Sequence, residues 1–285
     1  MAVKSTRYWL IFISPAMFLI AVFLLWPLAK TVVYSFSEWK NFSITYTFAG
    51  LANYKRMAAD SVIRIALKNS GILIIFALIF QVGFSLLLAI LVDSVNHLFK
   101  FYRTVYFFPI VISGTAIGLM FALAYKYEYG LLNFFLTLFG QEKRVWITPK
   151  TSIYLALIPV VWQYVGFYFV IFLTGLSKIP ADVYEAAMLD GVTPIQKAIK
   201  ITIPMLRDTL VSCTVLVVSG CFRVFDTVFI ITKGGPLDSS QLLSTYMYKM
   251  AFENFNGGYA SAIAMLMIFI GVFITVCLRK ALKAQ

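Results

Sequence analysis

Histidine occurs once in this chain, as His97, cysteine three times and acidic residues only twelve times. These shortages exclude several kinds of chemistry. One imidazole in the short 93–103 stretch, without ligating neighbours at metal spacing, gives no metal centre. Cys213, Cys221 and Cys277 are odd in number, show no ligand spacing and fall within apolar runs. They read as small apolar packing residues, not as a disulfide framework. A phosphate-binding loop is also missing, because it needs several glycines followed by Lys-Ser/Thr so that backbone N–H groups wrap the phosphates. Lys233-Gly234-Gly235-Pro236 has the opposite order, and its proline removes a donor. A membrane-embedded transferase or protease would want paired acids, or a Ser or Cys beside a base, near the membrane surface. Nothing supports that reading, and no catalytic residue is expected.

Charge is scarce as well, at 13% against 61% apolar residues, and mean hydropathy is +0.88. The charge-poor runs are Tyr8–Ala29, Asn69–Val92, Thr104–Tyr125, Thr151–Ser177, Thr209–Thr232 and Asn254–Leu278, the fifth interrupted by Arg223 and Asp226. About 20 apolar residues span the hydrocarbon core as a helix, so six helices are expected. None shows the alternation of a barrel strand. The first run starts beside Lys4 and Arg7, as a signal peptide would. Its apolar core is too long, and Leu25–Lys30 lacks a small-x-small cleavage site, so a retained span is expected. The formal charge of +12 points to anionic lipid headgroups and not to nucleic acid.

Six spans put both termini on one side. Segments 1–8, 93–103, 178–208 and 279–285 then share that side and hold 11 Lys and Arg; the opposite loops 30–68, 126–150 and 233–253 hold 12. The positive-inside rule hardly separates the two orientations.

Segment 178–208 is more telling. Pro180 suits a first helical position, and Asp182 places a negative charge in the positive first turn. Residues 182–190 can form a short helix that Gly191 closes in the left-handed conformation. Thr193 is an N-cap with Pro194 behind it, opening a second helix through Ile203 that Pro204 stops. Glu185 stands beside the small Ala186 and Ala187, which permit close approach to another protein. An amphipathic connector with no partner fits the same pattern.

The spacing Glu185-Ala186-Ala187, three residues, Gly191, nine residues, Ile201-x-Ile203-Pro204 resembles the EAA motif of ABC importer permeases, with Ile203 where leucine is usual. Tyr184–Gly191, Phe48–Tyr54, Arg103–Pro109, Tyr129–Asn133 and Thr232–Pro236 look like the carbohydrate-type permeases; Phe121 stands where many relatives have Trp. This resemblance, from about residue 10 to the C-terminus, implies an all-α polytopic permease of the type I importer fold. It implies one transmembrane domain, 1–285, with residues 178–208 as a cytoplasmic coupling segment and both termini cytoplasmic. Tyr184, Glu185, Ala186, Ala187, Asp190, Gly191 and Pro204 would form the contact to an ATPase. The implied partners are a second, homologous permease (hence a heterodimer), two ATPase subunits that use ATP and Mg, and an extracytoplasmic solute-binding protein. This chain would bind no cofactor itself. A permease for polyamine, phosphate or amino acid would share the EAA spacing alone, whereas a secondary transporter would show internal repeats.

Two stripes are candidates for a substrate path. In the fifth run Ser212, Ser219, Arg223, Asp226 and Lys233 recur at helical spacing, and charges within a span tend to face a wet interior. An Arg223–Asp226 bridge that only joins helices is the plainer reading. In the fourth run Trp162, Gln163, Tyr164 and Phe167 would suit a carbohydrate, with aromatic faces for axial hydrogens and an amide for hydroxyls, although aromatics are equally common in membrane packing. An unpaired Arg223 would favour an anionic sugar.

Overall fold

The computed structural model describes residues 5–41, 43–94 and 99–283; His97 lies outside them. Helix α1 (Phe12–Ser35) precedes an antiparallel pair of two-residue strands, β1 (Ser37–Glu38) and β2 (Thr47–Phe48), and α2 (Ala52–Ala59). Helices α3 (Ser61–Asp93), α4 (Phe99–Val111), α5 (Gly114–Ala124), α6 (Leu131–Leu138) and α7 (Ser152–Leu176) follow. The rest comprises α8 (Ala181–Leu189), α9 (Pro194–Met205), α10 (Arg207–Cys221), α11 (Asp226–Thr232), α12 (Leu243–Tyr248) and α13 (Gly257–Lys283). Among the described residues α1, α3, α7 and α13 are long and apolar enough to cross a membrane unbroken. The bent pairs α4–α5 (89°) and α9–α10 (71°) bring the number to six if each is one broken span. The protein is a helical, multi-pass membrane protein.

The chain forms two compact units. One runs from α1 to Asp60 and includes Met247–Phe269; the other holds Ser61–Tyr246 and the remainder of α13. In the first, glycine lets the hairpin lie against the start of α13. A Cβ on Gly258 would sit 2.2 Å from the Ser37 carbonyl oxygen, and the Gly258 N–H donates to the Trp39 carbonyl at 3.0 Å. The Asn53 amide donates to the carbonyls of Ser35 and Ser37, at 3.0 and 2.9 Å. Tyr259 donates its hydroxyl to Asp60 Oδ2 at 2.6 Å, under the guanidinium of Arg56. The 30–68 loop is thus shorter than the charges suggest: α1 carries Lys30 inside it and α3 carries Arg64 and Lys68. Long cationic side chains can run along a helix and leave their charge at the interface, so a charge-bounded run underestimates a span.

In the second unit α7 is central, with Leu157, Phe169 and Phe172 fully buried and α3, α4 and α10 packed around them. Gly166 sets the α4–α7 approach: a Cβ there would lie 1.7 Å from the Tyr106 carbonyl oxygen. A helix backbone cannot yield as a side-chain tip does. Gly166→Ala is therefore expected to cost about 1–3 kcal/mol of stability, and Gly166→Val more. Thermal unfolding of detergent-purified protein checks this; an unshifted Gly166→Val midpoint would contradict the close contact.

Two expected helices are broken. The run Thr104–Tyr125 divides because Ser113 is extended (ψ 144°) and its hydroxyl accepts from the Ala116 N–H, starting a new helix just after Pro109 has removed a donor. The run Thr209–Thr232 divides at Phe222–Phe225, between α10 and α11. Ser212, Ser219, Arg223, Asp226 and Lys233 consequently do not form one helical stripe. Pro204 does not stop its helix either. It lies inside α9, in the last helical residues Ile203–Met205 that follow the π-helical stretch Ala198–Thr202, and the helix ends two residues later, at Leu206.

Candidate functional site

Segment 180–206 is built from strong local signals. Pro180 is the extended residue before α8, one position earlier than its fixed φ alone suggests, and Asp182 lies in the first turn. Gly191 adopts φ +68°, with Gly191 N–H on the Met188 carbonyl and Val192 N–H on the Ala187 carbonyl, each at 3.1 Å. This pair of bonds is the Schellman closure that satisfies helix-end carbonyls. Thr193 and Gln196 form a reciprocal capping box that opens α9.

The two short helices are tied by Tyr184. Its hydroxyl lies 3.3 Å from Thr202 Oγ1, and Lys197 Nζ stands 4.1 Å from its ring centroid. Tyr184 and the buried Ala187 thus face inward and hold α8 on α9, while Glu185, Ala186 and Asp190 are exposed. Met188 and Leu189 join this outward surface, at 65% and 89% exposure. Sequence reasoning passed over both, although an apolar pair inside a short polar-flanked helix was the available signal. Pro204 is exposed but lies on α9, in the segment that turns into α10. Gly175, near the end of α7, keeps this segment close to the span: a Cβ there would meet Leu206 and Thr209 at 2.8 and 3.0 Å. Between α9 and the end of α3 runs an apolar groove of about 580 Å³, lined by Leu86, Ile90, Ile195 and Ile199, with Asp93 and Lys197 also on its walls.

The candidate path residues separate. Tyr164 and Arg223 line one cavity of about 200 Å³ with Gln81, Tyr168 and Gly220. Trp162, Gln163, Phe167, Ser219 and Asp226 do not line it. Gln163 is 6% exposed, and its amide donates to the Ile112 carbonyl at 2.9 Å, supplying the donor that the α4–α5 break took away. Trp162 packs against Phe121 and Phe167 against Tyr168, with centroids 6.0 and 5.2 Å apart. Ser219 is half-buried on α10.

Arg223 sits in the α10–α11 break, and no ion pair joins it to Asp226 among the described residues. Asp226 starts α11 next to Gly114, the first residue of α5; a Cβ on Gly114 would be 3.9 Å from its Oδ2. A carboxylate there is favoured by the positive ends of two helices. Thr227 binds the Gly114 carbonyl at 3.3 Å, and Ile230 crosses Gly118 closely, so both helix breaks meet at one place.

Gln163→Leu, which keeps volume but strands a buried carbonyl, is expected to cost about 1–3 kcal/mol of stability. Transport should fall only with the amount of folded protein. A raised KM at unchanged thermal stability would instead make Gln163 a substrate ligand.

Residues 96–284 match the family model described as binding-protein-dependent transport system inner membrane component. The chain is 37% identical to the probable ABC transporter permease protein YurN of Bacillus subtilis (strain 168), covering 96% of this chain and 95% of that one. It is 28% identical to the multiple sugar-binding transport system permease protein MsmF of Streptococcus mutans serotype c, covering 98% and 97%. A chain of the bacterial ABC transporter involved in import of the acidic polysaccharide alginate has the same fold. That match has TM-score 0.85 at 20% identity and covers 98% of this chain and 96% of the other.

Proposed function

The chain belongs to the family of binding-protein-dependent transport system inner membrane components, and on that premise we propose that it is the permease subunit of an ATP-driven importer of a sugar or oligosaccharide. The type I importer fold and the sugar named for a full-length relative support that class. The observation that carries the coupling role is the exposed Glu185–Asp190 surface. It lies on a helix closed by Gly191 and joined through Ile179 and Pro180 to the end of the central span.

In this reading segment 178–208 and both termini are cytoplasmic. Glu185 meets a basic group of an ATPase subunit, Met188 and Leu189 fill an apolar depression on it, and Tyr184, Ala187 and Gly191 position that surface. Two ATPase subunits hydrolyse ATP with Mg, a second homologous permease supplies the other coupling helix, and a solute-binding protein delivers the sugar from outside. Rigid-body rearrangement exposes the path to one side at a time. The helix breaks at Ile112–Ser113 and Phe222–Phe225 fit such movement, because a hinge needs a few residues free of helical bonding.

Arg223, beside Tyr164, is the residue assigned to an anionic sugar. Charge-assisted hydrogen bonds to carboxylates exceed neutral ones by enough that Arg223→Gln should slow uptake of acidic sugars by about tenfold or more. Neutral sugars should be little affected. Equal losses for both classes in uptake assays would remove the charge argument.

A further inference from the structure

Helix α6 has no part in the coupling surface or the path, yet its surface pattern is specific. Leu131, Phe134, Phe135, Leu138 and Phe139 recur at i, i+3, i+4, i+7 and i+8, and all five are exposed, Phe134 at 59% and Leu138 at 65%. Such a stripe covers one side of a helix. The opposite side is fastened to the protein through Asn133, which is fully buried. Its amide nitrogen donates to the carbonyls of Tyr127 and Arg144, and its Oδ1 accepts from the Arg144 N–H and the Trp146 indole, all within 2.9–3.1 Å. The exposed side therefore points away from the protein by construction.

The depth of this helix follows from its neighbours. Immediately after α5, the Tyr125 hydroxyl donates to the carbonyl of Leu155 in the first turn of α7, at 3.1 Å. The end of one membrane segment is thereby level with the start of the next, and α6 lies in the connection between them. Helix α7 is 25 residues long, about 37 Å at helical rise, and its other end leads to the coupling segment. So α6 lies at the membrane face opposite that segment. Around it stand the exposed Tyr127 and Tyr129 and the partly exposed Trp146, residue types that concentrate at membrane interfaces. Cations exceed anions nearby, with Lys126, Lys143, Arg144 and Lys150 against Glu128 and Glu142.

We propose that α6 is an interfacial anchor: it lies in the plane of the membrane, its Leu131/Phe134/Phe135/Leu138/Phe139 face buried among the acyl chains beneath the headgroups. The helix is short, but an amphipathic segment held at the right depth by its own protein does not have to find the membrane unaided. The inference needs only that α5 and α7 are membrane segments, so it stands apart from the importer reading.

The test uses the whole chain, with whatever partners co-purify with it, reconstituted in liposomes of mixed zwitterionic and anionic phospholipid. In a Cys277→Ser background (Cys213 and Cys221 are buried) single nitroxide labels go on Phe135→Cys, Leu138→Cys and, as the polar-flank control, Thr137→Cys. Collision with oxygen, which partitions into lipid, is compared with collision with a water-soluble nickel chelate. The oxygen-to-nickel ratio should rise severalfold from position 137 to positions 135 and 138. A ratio at 135 and 138 equal to that at 137 would overturn the anchor as a water-facing helix. Immobilised labels shielded from both reagents would overturn it in favour of a protein partner on this face.

Discussion

Glu185→Lys is expected to reduce uptake by at least about thirtyfold, because truncating or reversing one partner of a close interfacial charge pair costs roughly 2–5 kcal/mol. The side chain is exposed and touches nothing that folding requires, so the variant should insert and accumulate as wild type does. Gly191 gives a graded version of the same test. A Cβ at that position meets no atom within 4 Å, so only its backbone conformation resists substitution. At φ +68° a residue with a branched side chain is strained, whereas Asn tolerates the left-handed region. Uptake should fall from Gly191→Asn to Gly191→Val, and Gly191→Asp, which tolerates the left-handed region as Asn does but adds a charge beside Asp190, should fall below Gly191→Asn. Equal losses across the three would mean that the turn is not what positions the surface.

The second large effect belongs to Met188 and Leu189. Burial of a large apolar side chain is worth about 1.5–3 kcal/mol, so the pair, once covered by a partner, contributes enough for a loss of about a hundredfold or more in affinity. Met188→Asp with Leu189→Asp should strip the ATPase from the purified complex while leaving the permease's thermal stability unchanged. Both side chains are exposed in the isolated chain and support no other part of it. Full retention of the ATPase would show that this surface is not where it docks.

Much of this was legible in the sequence, for identifiable reasons. Spans are announced by twenty apolar residues in a row, since lipid leaves a chain few alternatives. Segment 178–208 was readable because its turns depend on particular local chemistries: an acid in a first turn, a glycine at positive φ, a threonine cap. Each appears where the spacing puts it, to within a residue at Pro180. The helix breaks were not readable in the same way. Phe222–Phe225 contains neither proline nor glycine, and its non-helical backbone is held by tertiary contacts such as the Ser244 hydroxyl on the Val224 carbonyl. Arg223 and Asp226, three apart, looked like neighbours on one face. The break separates them, sending Arg223 to the cavity it shares with Tyr164 and Asp226 to the start of α5.

Gln163 teaches a related lesson. An amide within an apolar span suggests a hydroxyl-rich ligand, but here the carbonyl freed by a broken neighbour is its partner. That carbonyl can be seen only once the α4–α5 bend is known. Leu189 shows the converse, an apolar residue three and four places along from Ala186 and Glu185, on the face that the structure leaves exposed.

The most direct test of coupling is ATP hydrolysis by the reconstituted transporter, with and without the substrate-loaded binding protein. The wild-type complex and the complex carrying Glu185→Lys would be compared at equal ATPase content. Stimulation by the loaded binding protein should be present in the first and absent in the second. Undiminished stimulation in the Glu185→Lys complex would contradict the assignment of this helix as the element that joins transport to hydrolysis.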